Sequence, residues 1–242
     1  MSILDQLLNA IPSPDEPVRE VVIGAHWTAV ASRHCGLAST LPEPHPHTGP
    51  SVKDAGGLIE KTTKQLMNLA FSPALMEAAV GLATLNSVVN VDMDRCTETN
   101  AFEILAARGM GKNMGIIGHF PFVPRLKEIA RTLWVIEQHP REDDLSPDRA
   151  PAVLPRCHVV GITGTSLINH TLDGLLKFCR SDTFVMLLGP TTPLTPLLFE
   201  CGIDALSGSK VVDEEKVLRY VKEGCTFRQL HHAGVMLLTM VK

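Results

Sequence analysis

Glycine and hydroxyl-bearing residues follow two predicted strands in the second half of the chain. Thr163, Gly164 and Thr165 come directly after the apolar run "HVVGI", and Gly189-Pro190-Thr191 follows "FVMLL". Glycine lets the backbone approach a ligand closely, and threonine hydroxyls donate hydrogen bonds to ligand oxygens. Each group taken alone is also the ordinary chemistry of a turn or a helix cap. Two such junctions at one edge of a parallel sheet favour a small-molecule pocket.

Two further predicted strands end in Gly118-His119-Phe120 and in Glu137. Glu137 lies 19 residues after Gly118, close to the roughly 20 residues that separate the first glycine from the ribose-binding acid of dinucleotide folds. However, the segment "GHFPFVP" lacks the G-x-G-x-x-G pattern, which argues against a nicotinamide dinucleotide. A planar ring that stacks on Phe120 and donates to Glu137 fits better, as in a nucleoside, a methionine-linked adenosine or a pterin. Ordinary core packing is the alternative role for Phe120.

The ten histidines raise the question of a metal site. His45 and His47 flank Pro46 in a loop and could offer two imidazoles to an ion, although no standard zinc spacing is present. His119 and His170 fall at the predicted sheet edge, where the alternative is a hydrogen bond that orders a loop. Asp143 or Asp144, in the acidic segment "REDDLSPDRAP", could reach the same site.

Composition excludes several classes of protein. The chain has 242 residues, 45% hydrophobic and 20% charged, with a formal net charge of −4. It has no basic surface for nucleic acid and no apolar run of the roughly 18 residues that span a bilayer. Six cysteines without a C-x-x-C indicate free thiols, and the N-terminus lacks an export signal, so we expect a cytoplasmic protein. The cofactor stays open, as does assembly into a homo-oligomer.

Two units of different character are predicted. In residues 1–97, a helix, an antiparallel meander ("VREVVIGAHWTAVAS", "CGLAST") and two helices indicate an α+β unit, with Ser72 as the N-cap of the second. In residues 98–242, apolar strands separated by helices indicate a parallel sheet covered on both faces. One of these helices is predicted over "SLINHTLDGLLKFC", which would place Ser166, His170 and Asp173 on one face. Helix N-termini would then direct unpaired N–H groups at the site.

Long segments of the chain resemble a known family, the putative heavy-metal chelation family. They are "FSPALMEAAVGLATLNSVVN", "EQHPREDDLSPDRAPAVLPRCHVVGITGT", "ITGTSLINHTLDGLL" and "LLGPTTPLTPLLFECGIDALSG". The resemblance covers nearly the whole chain. It implies an enolase N-terminal-like domain followed by a Rossmann-like domain, with the site between them and a link to metal chelation. By motif, it implies that the cleft is lined by Thr163, Gly164, Thr165, Asn169, Gly189, Pro190 and Thr191, and closed by Asn86 and Asn90.

Three functions remain open at this stage. The first is a small-molecule binder or enzyme that acts on a nucleoside-, pterin- or chelator-like compound. The second is a protein that binds metal directly through His45, His47 and other histidines. The third is a non-catalytic interaction protein. Hydroxyls and glycines cluster whereas soft ligands are scattered, which favours the first over the second; neither a reaction type nor a catalytic base follows from the sequence.

Overall fold

The computed structural model describes residues 1–10, 15–42 and 51–242. These residues form a three-stranded sheet and a seven-stranded sheet, each with its own helices. The mixed α/β fold class predicted from the sequence is confirmed. Within the described ranges, no helix combines the length and the apolar character needed to cross a bilayer.

The first unit is built on an antiparallel meander, as the alternating stretches predicted. Its strands pair in the order β1-β2-β3, and helix α3 packs so closely on β3 that a Cβ on Gly36 would lie 2.1 Å from the carbonyl oxygen of Ala83. The elements are α1 (Ile3–Ala10), β1 (Glu20–Ile23), β2 (Trp27–Ala31), β3 (Cys35–Ser39), α2 (Thr63–Met67) and α3 (Leu75–Val88).

The predicted cap of α3 is wrong. The helix begins at Leu75, with Ala74 as the N-cap residue. The Ser72 hydroxyl donates to the Glu77 carboxylate, which also accepts from the backbone N–H of Lys53 at 2.7 Å. Glu77 is 4% exposed, and a buried carboxylate needs such donors more than the helix end needs its cap.

The second unit is a mainly parallel sheet in the order β4-β10-β9-β8-β7-β5-β6. Strands β5 to β9 pair in parallel, whereas β10 and the short β4 pair antiparallel at one edge. The elements are β4 (Cys96–Thr97), α4 (Ala101–Gly109), β5 (Asn113–Ile117), α5 (Val123–Ile129), β6 (Thr132–Ile136), α6 (Ala150–Val153), β7 (Val159–Thr163), α7 (Leu172–Phe178), β8 (Phe184–Leu188), α8 (Leu197–Glu200), β9 (Ala205–Val211), α9 (Glu214–Lys222), α10 (Phe227–His232) and β10 (Val235–Val241).

The segment after β7 differs from the predicted helix. Gly164–Ser166 is a single 3-10 turn, and α7 begins only at Leu172. The Ser166 hydroxyl donates to the carbonyl of Thr163, and such local bonds compete with an α-helix. His170 has a φ of 58°, which an α-helix does not allow. Ser166, His170 and Asp173 therefore do not share a helix face, and the N-terminus of α7 is not at the junction.

One hydrophobic core joins the two units. Leu7 and Leu82 of the first unit belong to the same buried cluster as Ile162 and Leu187 of the second. Strand β4 pairs with β10 of the larger sheet, and the division of the chain near residue 97 stays a prediction. Because the units pack directly on each other, side chains of the first unit reach the edge of the parallel sheet.

Candidate ligand-binding cleft

Two adjoining cavities lie at the carboxyl ends of the parallel strands. Their volumes are about 500 and 580 Å³. The same four residues line both: His119, Phe120, Thr163 and Thr165. We therefore describe them as one cleft with a Glu137 lobe, the smaller cavity, and a Trp27 lobe, the larger.

The Glu137 lobe is formed by the loops that follow β5, β6 and β7. Leu41 of the first unit and Phe178 of α7 also line it. Sequence-predicted residues that line this lobe are Gly118, His119, Phe120, Glu137, Thr163, Thr165 and Asn169.

The Trp27 lobe is formed by the loops after β5, β7 and β8 and is more aromatic. Trp27 of β2 and Phe227 of α10, with ring centroids 5.5 Å apart, belong to its wall together with Phe122. Arg125, Asn100 and Ser39 add polar groups. Sequence-predicted residues that line this lobe are His119, Phe120, Thr163, Gly164, Thr165, Gly189, Pro190 and Thr191.

The β7 and β8 junctions touch each other. A Cβ on Gly164 would lie 2.8 Å from the backbone nitrogen of Thr192, so only glycine allows this approach. Gly189 has a φ of +110°, and a Cβ there would meet nothing within 4 Å. The Thr191 hydroxyl accepts from the backbone N–H of Ser39 at 3.0 Å, which ties this loop to β3.

The β5 junction turns at Gly118, whose φ is +98°. Phe120 then stacks on Phe122, with centroids 5.2 Å apart and planes 5° from parallel. Phe120 also lines both lobes. The ring therefore combines the core packing and the cleft-wall position that the sequence left as alternatives.

Some hydroxyl and amide groups of the loop after β7 form hydrogen bonds within the loop. The hydroxyl oxygens of Thr163 and Thr165 are 3.0 Å apart, and Asn169 Oδ1 accepts from the Thr171 hydroxyl at 2.7 Å. The Nδ2 group of Asn169 donates to none of the described residues. A ligand in the Glu137 lobe would therefore meet Asn169 as a donor.

Two carboxylates and one imidazole lie near the Glu137 lobe. Glu137 Oε1 accepts from the backbone N–H of Gln138 at 2.7 Å. His119 Nδ1 lies 3.5 Å from Asp144 Oδ2, and the Asp144 side chain is 4% exposed. The acidic loop thus reaches the site through Asp144, whereas Asp143 pairs with Lys127 at 3.1 Å.

Asn86 and Asn90 do not line the cleft. Asn86 Nδ2 donates to the carbonyls of Leu37, at 2.8 Å, and of Thr191, at 3.1 Å. Both asparagines line a separate cavity of about 260 Å³ beside Lys210. Asn86 therefore holds the loop after β8 through its amide, which donates to these carbonyls and is not directed into the cleft.

Several lining residues had not been singled out from the sequence. They reach the cleft only through tertiary packing, and no local pattern marks them. They are Trp27, Ser39 and Leu41 in the first unit, and Thr99, Asn100, Arg125, Phe178 and Phe227 in the second.

The described donors do not fit a directly chelated metal ion. No group of three His, Cys, Asp or Glu side chains comes together in residues 1–10, 15–42 and 51–242. Burial raises the pKa of the Cys35 and Cys157 thiols to about 12, so both stay protonated near neutral pH and are poor ligands. His45 and His47 lie outside the described residues.

The parallel sheet, the antiparallel unit packed on it and the cleft at the strand ends define a two-unit, Rossmann-like α/β protein. Two family models match the chain, at residues 4–89 and at residues 100–239, and both are described as "Putative heavy-metal chelation". The chain belongs to this family, as its resemblance predicted.

Three proteins that are similar to this chain are described without an activity. An uncharacterized protein of Methanocaldococcus jannaschii is 30% identical over 194 residues, which cover 77% of this chain and 74% of that protein. A Desulfitobacterium hafniense protein of unknown function has a solved structure with a TM-score of 0.86, 28% identity and coverage of 99% and 98%. A Pyrococcus horikoshii protein of unknown function, 21% identical with a TM-score of 0.86 and full coverage of both chains, supports the fold alone.

Proposed function

We propose that this protein binds a small organic molecule in the cleft between its two units. The observation that carries the proposal is that His119, Phe120, Thr163 and Thr165 line both lobes. Two loops that are distant in the chain, those after β5 and β7, thus line both lobes at the strand ends, where α/β proteins bind ligands. Each lobe falls within the roughly 300–1,000 Å³ of small-molecule sites.

The lining chemistry favours a ligand with a planar ring and several polar substituents. Phe120 and Trp27 offer ring faces for stacking. Glu137 is an acceptor for a ring N–H, and Thr165 and Asn169 supply donors for oxygens. A nucleoside-, pterin- or chelator-like compound has these features, and a chelator would link the cleft to the name of the family.

Direct metal binding is the second candidate function, and it rests on His45 and His47 alone. Equilibrium dialysis with metal analysis of the purified protein tests it, with a His45→Ala, His47→Ala double variant as the control. If the wild type binds metal and the double variant does not, the metal site is the histidine loop and not the cleft. A non-catalytic interaction role, the third candidate, predicts that no small molecule stabilises the protein.

A thermal-shift screen of nucleosides, pterins and metal-free chelators tests the proposal. A compound present at 100 times its Kd stabilises the folded state by about 2.7 kcal/mol. In a chain of this size, that corresponds to a rise in Tm of roughly 5–10 °C. We expect at least one of the three classes to produce such a shift.

A matched pair of variants connects the shift with the cleft. Thr165→Val removes a hydroxyl from the region that both lobes share, whereas Thr132→Val makes the same change at the opposite end of β6. We expect the ligand-induced shift to shrink in the first variant and to persist in the second. No shift with any class, or equal shifts in both variants, would overturn the proposed site.

A further inference from the structure

His119 occupies the boundary between the two lobes. It follows the turn at Gly118 after β5 and lines both cavities. Its side chain is 29% exposed, so a ligand can reach the ring. A group at this position would contact either half of a molecule that fills the cleft.

Asp144 is held beside His119 by the edge of the sheet. Leu145 pairs alongside β6 as a parallel bridge, because its N–H donates to Val135 O at 2.8 Å and its carbonyl accepts from the N–H of Glu137 at 2.9 Å. The carboxylate of Asp144 accepts from the backbone N–H of Arg141 at 3.1 Å. These bonds place Oδ2 at 3.5 Å from His119 Nδ1, in a side chain that is only 4% exposed.

Asp144 lies on the Nδ1 side of the His119 ring. An ionised carboxylate only accepts hydrogen bonds, so this arrangement favours the neutral imidazole that carries its proton on Nδ1, towards Asp144. In that tautomer Nε2 keeps its lone pair, and it makes no hydrogen bond with any residue that the structure describes. The contact is about half an ångström longer than an ordinary N–H···O bond.

We propose that His119 is a catalytic general base and acid of the cleft and that Asp144 is its positioning residue. The proposal rests on the proposed function, because it requires a ligand in the cleft. Nε2 takes a proton from an O–H or N–H group of the ligand, which becomes its conjugate base. The imidazolium that forms is stabilised by the Asp144 carboxylate, and Nε2 returns the proton in the reverse step.

His170, which also lines the cleft, makes a different kind of contact. His170 Nε2 donates to the carbonyl of Ala70 at 2.8 Å, which joins the β7 loop to the first unit. Its backbone lies in the left-handed region, and the residue is exposed at the rim of the Glu137 lobe. Of these two described histidines, only His119 combines a carboxylate partner with a position shared by both lobes.

Ring NMR of the full-length, ¹⁵N-labelled protein tests the pair without any ligand. His119 is assigned by the loss of its signals in His119→Gln. We expect a single tautomer in the wild type, with the proton on Nδ1, and a mixture in Asp144→Ala. Asp143→Ala is the matched control, because Asp143 is 76% exposed and pairs with Lys127. It should leave the wild-type tautomer unchanged.

Acylation by diethyl pyrocarbonate provides the second readout, since only an unprotonated ring nitrogen attacks this reagent. We expect Nε2 of His119 to be modified several-fold faster in the wild type and Asp143→Ala than in Asp144→Ala. A proton on Nε2 or mixed tautomers in the wild type would overturn the proposal, even if Asp144→Ala fails to fold. So would equal acylation rates in folded wild type and Asp144→Ala. A failed ligand screen leaves the tautomer and acylation results unchanged, so failure of the His119–Asp144 pair can be distinguished from failure of the proposed function.

Discussion

Gly164 and Thr192 are in direct contact across two neighbouring loops: a Cβ on Gly164 would lie 2.7 Å from Thr192 Oγ1. The loops follow β7 and β8, which are adjacent and parallel. Such an approach fixes the β7 and β8 junctions relative to each other. The cleft therefore has a preformed wall on this side.

Gly164→Ala should destabilise the protein by about 1–3 kcal/mol, because the added methyl group overpacks a buried contact. Gly174→Ala is the matched substitution, and we expect it to change the free energy of unfolding in the opposite direction. Gly174 lies inside α7, and a Cβ there meets nothing within 4 Å. It should stabilise by about 0.5–1 kcal/mol. Chemical denaturation of both variants checks this, and a Gly164→Ala protein as stable as the wild type would contradict the close contact.

Asn86→Ala should cost about 1–3 kcal/mol of the free energy of unfolding. Its amide satisfies two carbonyls, those of Leu37 and Thr191, and the loss leaves both without this donor. Asn90→Ala is the control, because Asn90 is exposed and lies near the end of the same segment. Equal stabilities of the two variants in urea would refute the supporting role of Asn86.

Asn169→Asp should weaken ligand binding by about 5- to 10-fold while the fold is retained. The change keeps the oxygen that accepts from Thr171 and removes the Nδ2 donor of the Glu137 lobe. One lost hydrogen bond of about 1 kcal/mol corresponds to this factor. Asn169→Leu should in addition lower Tm, because it removes the bond to Thr171. Calorimetric titration with a compound from the screen measures the affinity, and an unchanged Kd would remove Asn169 from the site.

Stability should fall as the pH rises above about 9. Burial raises the pKa of Cys157 from 9.0 to about 12, so the folded state holds a proton that the unfolded state releases between these values. This contribution is present below pH 9 and is lost as the pH approaches 12. Denaturation between pH 7 and 10.5 should show a shallower decline for Cys157→Ala than for the wild type. Parallel curves would indicate that the thiol is not buried in this way.

The fold was largely predictable because burial leaves a clear pattern. The apolar run at the start of Val159–Thr163 indicated a strand covered on both faces, and the alternation around Trp27–Ala31 indicated a meander. Helix α10 and strand β4 were missed, since a six-residue helix and a two-residue strand carry little periodicity. The helix predicted at Ser166 failed because hydroxyl side chains there bond to the local backbone.

The candidate site was predictable only where it coincides with strand ends. Thr163 and Gly189 follow apolar strands, so topology alone brings them to one edge of the sheet. Trp27 reaches the same cleft because the first unit docks on the second, and nothing in the alternation of β2 distinguishes it from a core residue. The direction of the Asn86 amide was likewise decided by packing across the two units.

Fluorescence of Trp27 tests the central claim most directly. The chain has two tryptophans, and Trp134→Phe leaves Trp27, on the wall of the Trp27 lobe, as the single reporter. Titration with a compound that raises Tm should produce a saturable change in this emission, with a midpoint that matches the calorimetric Kd. Trp27→Phe, which retains Trp134, should show none. A compound that binds without altering the Trp27 emission, or that alters Trp134 instead, would contradict one shared cleft.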